Sequence, residues 1–244
     1  MLLKFLRVLE KYLFALDFYN HEIIDEIDIK LINFSEMVIK LNRGDIVVNG
    51  IIEKIQKNYE LLICNPELAK NALSYYAKNG FYKRAIWLRY FLFEYEINLT
   101  KKSKSNIVKQ DLCDIEEKGY ESIEHIYPEN SHYSYWISLF GEYDVKQKNS
   151  LKDSLGNFVL NSREKNSKLG NKPFPEKKSN KENPVGYKYG TYAEIEVSEY
   201  MDWDAKAILN RGLKLVDFLY ERWGIKVGNG KKEDKKKFLG LDFL

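Results

Sequence analysis

Ile123-Glu124-His125-Ile126-Tyr127-Pro128 is a short apolar run with an acid and a histidine at its centre, closed by a proline. It reads as a strand, because Pro128 has no N–H to donate and ends the ladder. Downstream, Leu155-Gly156-Asn157-Phe158-Val159-Leu160 sets β-forming residues after a Gly-Asn turn and reads as a second strand. Asn161-Ser162-Arg163-Glu164-Lys165-Asn166 then opens a polar helix, with Asn161 or Ser162 as its N-cap. Neighbours on a strand point to opposite faces. Glu124 and His125 can therefore serve one site only with a twist or bulge between them, or if one side chain reaches around.

Outward from this stretch the pattern is helical. Leu2, Leu3, Leu6, Leu9, Leu13 and Leu16 recur at three- and four-residue steps, which predicts an amphipathic helix. Further helices are expected at Phe34 to Leu41, at Val48 to Ile63, from Pro66 to about Asn79, and from Phe81 to Glu96. Ser131 to Leu139 predicts a short helix, with Trp136 packing beneath the strand. Tyr143 to Ser154 reads as polar and turn-like, and Tyr187 to Val197 as a short strand or loop. Trp203 to Trp223 closes the pattern, capped by Asp202 or Asp204 and stopped by Gly224. The fold class is α+β and predominantly helical. The expected segments are a helical bundle over 1–100, a polar connector over 101–118, a strand–strand–helix unit with its closing helix over 119–225, and a basic tail over 226–244.

Composition bounds the reading. A hydrophobic content of 44% is that of a folded chain rather than a disordered one. No apolar run approaches the roughly 20 residues of a membrane span, and no secretory cleavage signal follows Met1. Cys64 and Cys113 are the two cysteines, too few and too unpatterned for a disulfide framework or a thiolate zinc site. A reducing cytoplasm is the expected location. The net charge of +3 implies nothing about partners by itself. Its distribution does: Arg163, Lys165, Lys168, Lys172, Lys177, Lys178 and Lys181 face only Glu164 and Glu176 across one segment. The acidic group Asp111, Asp114, Glu116 and Glu117 lacks the Gly-centred spacing of a calcium loop and reads as a solvated linker.

The text IEHIYPEN, then Trp136, then LGNFVLNSREKNSKLGNKPF resembles the HNH, or His-Me finger, endonucleases. Within them it looks most like the C-terminal HNH domain of GmrSD-type restriction enzymes, over about residues 120–178. The resemblance implies a ββα-metal module that hydrolyses phosphodiester bonds, with DNA as the substrate and RNA left open. It implies His125 as general base and Asn157 as the residue that fixes the loop or the histidine. It implies Glu124 and Asn166 as ligands of Mg²⁺ or Mn²⁺. Many members carry Asp where this chain has Glu124. Lys165, Lys168, Lys172 and Asn171 become candidates for nucleic-acid contact. A restriction or anti-phage role follows, with a partner chain or a missing N-terminal domain supplying nucleotide hydrolysis and target sensing, since no P-loop stands in the sequence. The alternative is a catalytically weak nucleic-acid-binding or regulatory subunit that keeps the fold.

The chemistry fits those residue types. Phosphodiester hydrolysis needs a water made hydroxide-like near neutral pH and an offset for charge on the phosphoryl oxygens. An imidazole titrates in that range and can take the proton. A carboxylate and an amide supply the oxygen ligands that a hard divalent cation prefers. The expectation is one site, with the ring of His125 open to solvent and within a water's reach of the Asn166 amide.

Overall fold

A computed structural model describes residues 1–24, 27, 31–82, 85–103, 122–179 and 185–244. Most of the connector, with Asp111, Asp114, Glu116, Glu117 and Cys113, lies outside the described residues, as does Lys181. Five helices come first: α1 (Leu2–Ile24), α2 (Phe34–Asn42), α3 (Val48–Ile63), α4 (Pro66–Asn79) and α5 (Ala85–Lys102). Strand β1 (Ser122–His125) follows, then α6 (Ser134–Phe140), α7 (Val145–Asp153) and β2 (Phe158–Asn161). The chain continues through α8 (Arg163–Leu169), α9 (Phe174–Lys178), α10 (Tyr192–Ser198), α11 (Ala205–Trp223) and α12 (Lys232–Phe238).

Helix boundaries follow local chemistry. Asn65 accepts hydrogen bonds from the N–H groups of Glu67 and Leu68, with Pro66 at the first helical position of α4. Ser162 caps α8 through Lys165 N–H, and Asp204 caps α11 through Ala207 N–H. Gly224 ends α11 at φ 65°, a left-handed position that costs glycine little. Several segments differ from the sequence reading, two of them through capping boxes. Residues Val145–Asp153 form α7, started by a capping box between Asp144 and Gln147. Only Leu151 of that helix is buried, so no apolar stripe marks it. Residues Tyr192–Ser198 form α10, started by the Thr191–Glu194 capping box, with Ala193 and Val197 buried one turn apart.

One hydrophobic core runs from Tyr12 to Leu241 and takes in both the first helices and the strands. Its centre is aromatic. Phe14 of α1 stacks on Trp223 at the end of α11, with ring centroids 3.8 Å apart. Phe18, Tyr76, Phe81 and Trp87 gather beside them, joined by Phe238 of α12. The leucine stripe of α1 is therefore not its core face. Tyr12, Phe14, Phe18 and Tyr19 are buried, whereas Leu2, Leu3, Leu6 and Leu13 are exposed. The segment expected as a basic tail carries α12 and seats Phe238, Leu239 and Leu241 in the core against α4. Of the α12 lysines, Lys232 and Lys237 are exposed and Lys235 and Lys236 half-buried.

The two strands pair antiparallel, Ser122 with Asn161 and His125 with Phe158. They form the only sheet among the described residues. Helix α8 packs against β1, and α10 against β2 and α5. Where the chain turns into β2, Gly156 lies so close to α11 that a Cβ there would sit 2.0 Å from the carbonyl oxygen of Ile208. Arg211 of α11, fully buried, donates to the carbonyls of Gly156 (2.8 Å) and Phe158 (2.6 Å). The turn that presents Asn157 is thus clamped to the longest helix of the C-terminal half.

Candidate active site

His125 ends β1, and its ring lies on the face shared with Phe158, its cross-strand partner. Phe158 meets it edge-on at 4.9 Å between centroids, and Tyr82, from the turn after α4, covers it at 4.6 Å. The residue is 9% exposed, so the ring expected to face solvent is instead roofed by Tyr82. Nε2 is buried and has no hydrogen-bond partner among the described residues. The nearest carboxylate, Glu129, stands 3.8 Å away, beyond hydrogen-bond length. Burial lowers the imidazole pKa to about 4, and the positive charges of Lys177 and Lys152 push the same way. The ring is consequently neutral across the physiological range.

Asn157 sits beneath this strand end, fully buried, with its amide wholly used. Its Oδ1 accepts from Tyr127 N–H (2.8 Å) and from the indole of Trp203 (3.0 Å). Its Nδ2 donates to the carbonyls of Tyr127 (2.9 Å) and Lys152 (3.0 Å). Its backbone oxygen accepts from Ile126 N–H at 3.0 Å. Each of these groups would be a buried orphan without the side chain or turn that Asn157 supplies. Trp136, also buried, packs on Tyr127 and donates to the carbonyl of Asn171 at 3.0 Å.

Glu124 points the other way, as the strand period requires. Its carboxylate is buried and accepts from Lys177 Nζ at 2.6 Å and from the Tyr187 hydroxyl at 3.1 Å. Asn166, half-buried on α8, donates its amide to the Ser122 hydroxyl at 2.6 Å. Ser122 is three residues from His125, so the two side chains lie on opposite faces and about 10 Å apart along the strand. The structure therefore brings His125, Asn157 and Lys152 to one end of β1 and sets Glu124 and Asn166 on the other side. The donor set implied for Mg²⁺ or Mn²⁺ does not fit as placed. Glu124 is held by an ammonium that would repel a dication, and Asn166 faces a hydroxyl. Among the described residues no group of three or more His, Cys, Asp or Glu side chains is placed to hold a metal ion.

The basic candidates divide as well. Lys165 turns inward and pairs with buried Glu194 at 2.5 Å, so its charge is taken up inside the fold rather than offered to a phosphate. Lys168 is exposed, paired one turn away with exposed Glu164 at 2.6 Å. Asn171 is exposed and Lys172 half-buried. Lys152, not singled out by the sequence, reaches the His125 face. It donates to the carbonyl of Glu129 at 2.6 Å and lies 5.3 Å from the ring of Tyr127. The signal for it was weak, because α7 itself carries a single buried anchor.

No helix of the described residues is long and apolar enough to cross a membrane. No curated protein and no solved structure matches the chain. A family does: GmrSD restriction endonucleases, C-terminal domain, over residues 67–218, from α4 through both strands and α8 into α11. That span is more than half of the chain, and on it the protein belongs to the GmrSD restriction endonuclease C-terminal domain family, a class of restriction-type endonucleases.

Proposed function

We propose that the chain is an HNH-type endonuclease hydrolysing phosphodiester bonds of DNA in a restriction or anti-phage system, with His125 as the base that activates water. The observation that carries this reading is the unpartnered Nε2 of a neutral, buried imidazole. Leaving such a buried ring nitrogen unsatisfied costs about 1–3 kcal/mol, and it persists where a water or a reacting group is to be met. A base with so low a pKa is weak in the empty site. An anionic phosphate beside it favours the imidazolium and raises its basicity at the moment of use. The substrate thus offsets the effect of burial and of the two lysines.

The remaining parts act as supports. Lys152 supplies positive charge on the His125 face, where it can offset charge on the phosphoryl oxygens. Asn157 and Arg211 hold the turn and the strand end that carry the ring. Tyr82 must yield when DNA arrives, since it covers the imidazole. A requirement for Mg²⁺ or Mn²⁺ is proposed on the family resemblance alone, since Glu124 and Asn166 as placed do not form a fitting ligand set. Lys168, Lys172 and Asn171 are proposed as backbone contacts. A partner chain that hydrolyses nucleotide and senses the target is proposed on the same resemblance, and co-purification of this chain with a nucleotide hydrolase tests it.

The burial of the ring favours the second reading, a nucleic-acid-binding or regulatory subunit of low activity. Nicking of supercoiled plasmid by wild type and His125→Ala, each in EDTA and with added Mg²⁺ or Mn²⁺, separates the two. The endonuclease reading requires nicking that the substitution removes, and the EDTA arm shows whether that nicking needs a cation. Equal nicking by both proteins contradicts it, and DNA binding without nicking by either supports the regulatory reading.

A further inference from the structure

Lys177 lies on the five-residue helix α9, far along the chain from β1, and its side chain is 0% exposed. An ammonium has three protons to donate. All three go to consecutive residues of one strand end: Glu124 Oε1 (2.6 Å), the carbonyl of His125 (3.1 Å) and the carbonyl of Ile126 (3.1 Å). The amide groups of Ile126 and Tyr127 are taken by Asn157 from another direction. The backbone on both sides of the His125 ring is thus gripped through its carbonyls by Lys177 and through its N–H groups by Asn157. Glu124 is the partner that lets the lysine be buried there, and the Tyr187 hydroxyl completes the carboxylate.

We propose that Lys177 is a positioning residue that fixes the backbone, and hence the ring, of His125, and that Glu124 serves as its buried partner rather than as a ligand of a catalytic cation. The positioning half rests on His125 being the base; the pairing half does not. Deep burial of a lysine is costly without a carboxylate, and the contact geometry leaves no room for a cation between the two groups. A one-ångström displacement of a reacting group costs about 10²-fold in rate, so a clamp on the strand end matters to turnover more than to binding.

The test uses the full chain as wild type, Lys177→Met, Glu124→Gln and the double variant. Lys177→Met is expected to lower kcat for plasmid nicking by about 10²-fold with KM within about threefold. The ¹⁵N ring signals of His125 should broaden or split in the same variant; they are assigned by their loss in His125→Ala, with only His21 and His132 besides. Unchanged kcat and ring signals overturn the positioning role. The double variant should unfold at a higher temperature than Lys177→Met, because the stranded carboxylate is gone; a lower temperature overturns the pairing. Mn²⁺ affinity of Glu124→Gln, read by electron paramagnetic resonance, should stay within about twofold of wild type, whereas a loss of about tenfold or more, the size seen when metal ligation is disturbed, returns Glu124 to the metal. The unfolding and Mn²⁺ measurements need no turnover, so a failure of the base reading shows in His125→Ala alone.

Discussion

The two ionisable side chains at the end of β1, Glu124 and His125, point to opposite faces and differ in how they are partnered. The Glu124 face also holds the buried Asn161 amide, which has no hydrogen-bond partner among the described residues. On one face Glu124 has an ammonium and a phenol on its carboxylate, and nearby Lys165 and Glu194 are paired at 2.5 Å. On the other, one residue along, His125 is wrapped by two aromatic rings and its Nε2 has no partner among the described residues. Satisfied buried networks rigidify, while an unsatisfied group stores a cost that a ligand can relieve. Under the proposed function, Glu124 serves the scaffold and His125 the chemistry. The acid next to the histidine, implied by the resemblance as a metal ligand, is bonded here by Lys177 and Tyr187.

The largest effect that can break this contrast is on rate. His125→Ala should reduce DNA nicking by about 10²–10⁴-fold, the usual contribution of a positioned general base. Its unfolding temperature should change little beside that loss, and a single-turnover assay with parallel circular dichroism checks both. Next comes stability beneath the strand end. Asn157→Ala strands the N–H of Tyr127, the indole of Trp203 and two carbonyls. Destabilisation of about 3–5 kcal/mol in urea is expected, since several buried partners are lost at once. Lys165→Met should cost a similar amount by leaving Glu194 buried alone. A neutral result there returns Lys165 to the surface and to phosphate contact.

Protonation gives a third, smaller handle. The folded pKa of His125 is about 4, below the 6.5 of an unfolded histidine. Above pH 6.5 both states are neutral and the residue contributes no pH dependence. As pH falls from 6.5 to 4 the unfolded state takes the proton first, so stability declines, by on the order of 3 kcal/mol, and levels off below 4. Wild type minus His125→Ala in urea titrations across that window isolates the effect. In kinetics the acid limb of kcat/KM should lie near 4, and that of kcat higher, because bound phosphate raises the base. Coincident limbs near 6.5 in both profiles show an exposed, unperturbed ring. The smallest effects belong to the surface: Lys168→Gln or Lys172→Gln should each lower the slope of log affinity against log salt by about 0.9 and weaken all DNA sequences alike.

What was legible in the sequence was local. Pro66, Ser162, Asp204 and Gly224 mark helix ends through bonds made within one turn, and Pro128 closes an apolar run that pairs as β1. Less legible were the partners that come from afar. Asn157 could be read as a turn residue, yet its bond to Trp203 spans 46 positions. Lys177 stands in a run of lysines and differs from Lys178 only by phase: Phe174 and Lys177 are three apart, share a helix face and are both buried. That spacing was the available signal. The stripe on α1 shows the converse. Periodicity finds a helix with leucines in line, but the core selected the aromatic side, because Trp223 and Tyr76 offered stacking surfaces there.

The division of labour between adjacent residues is tested most directly by comparing His125→Ala with Glu124→Gln in one single-turnover nicking assay on supercoiled DNA. The account predicts a loss of about 10²-fold or more for the histidine variant and a smaller loss for the glutamine variant, whose amide oxygen can still accept from Lys177. Near-abolition by Glu124→Gln with full activity in His125→Ala would contradict it.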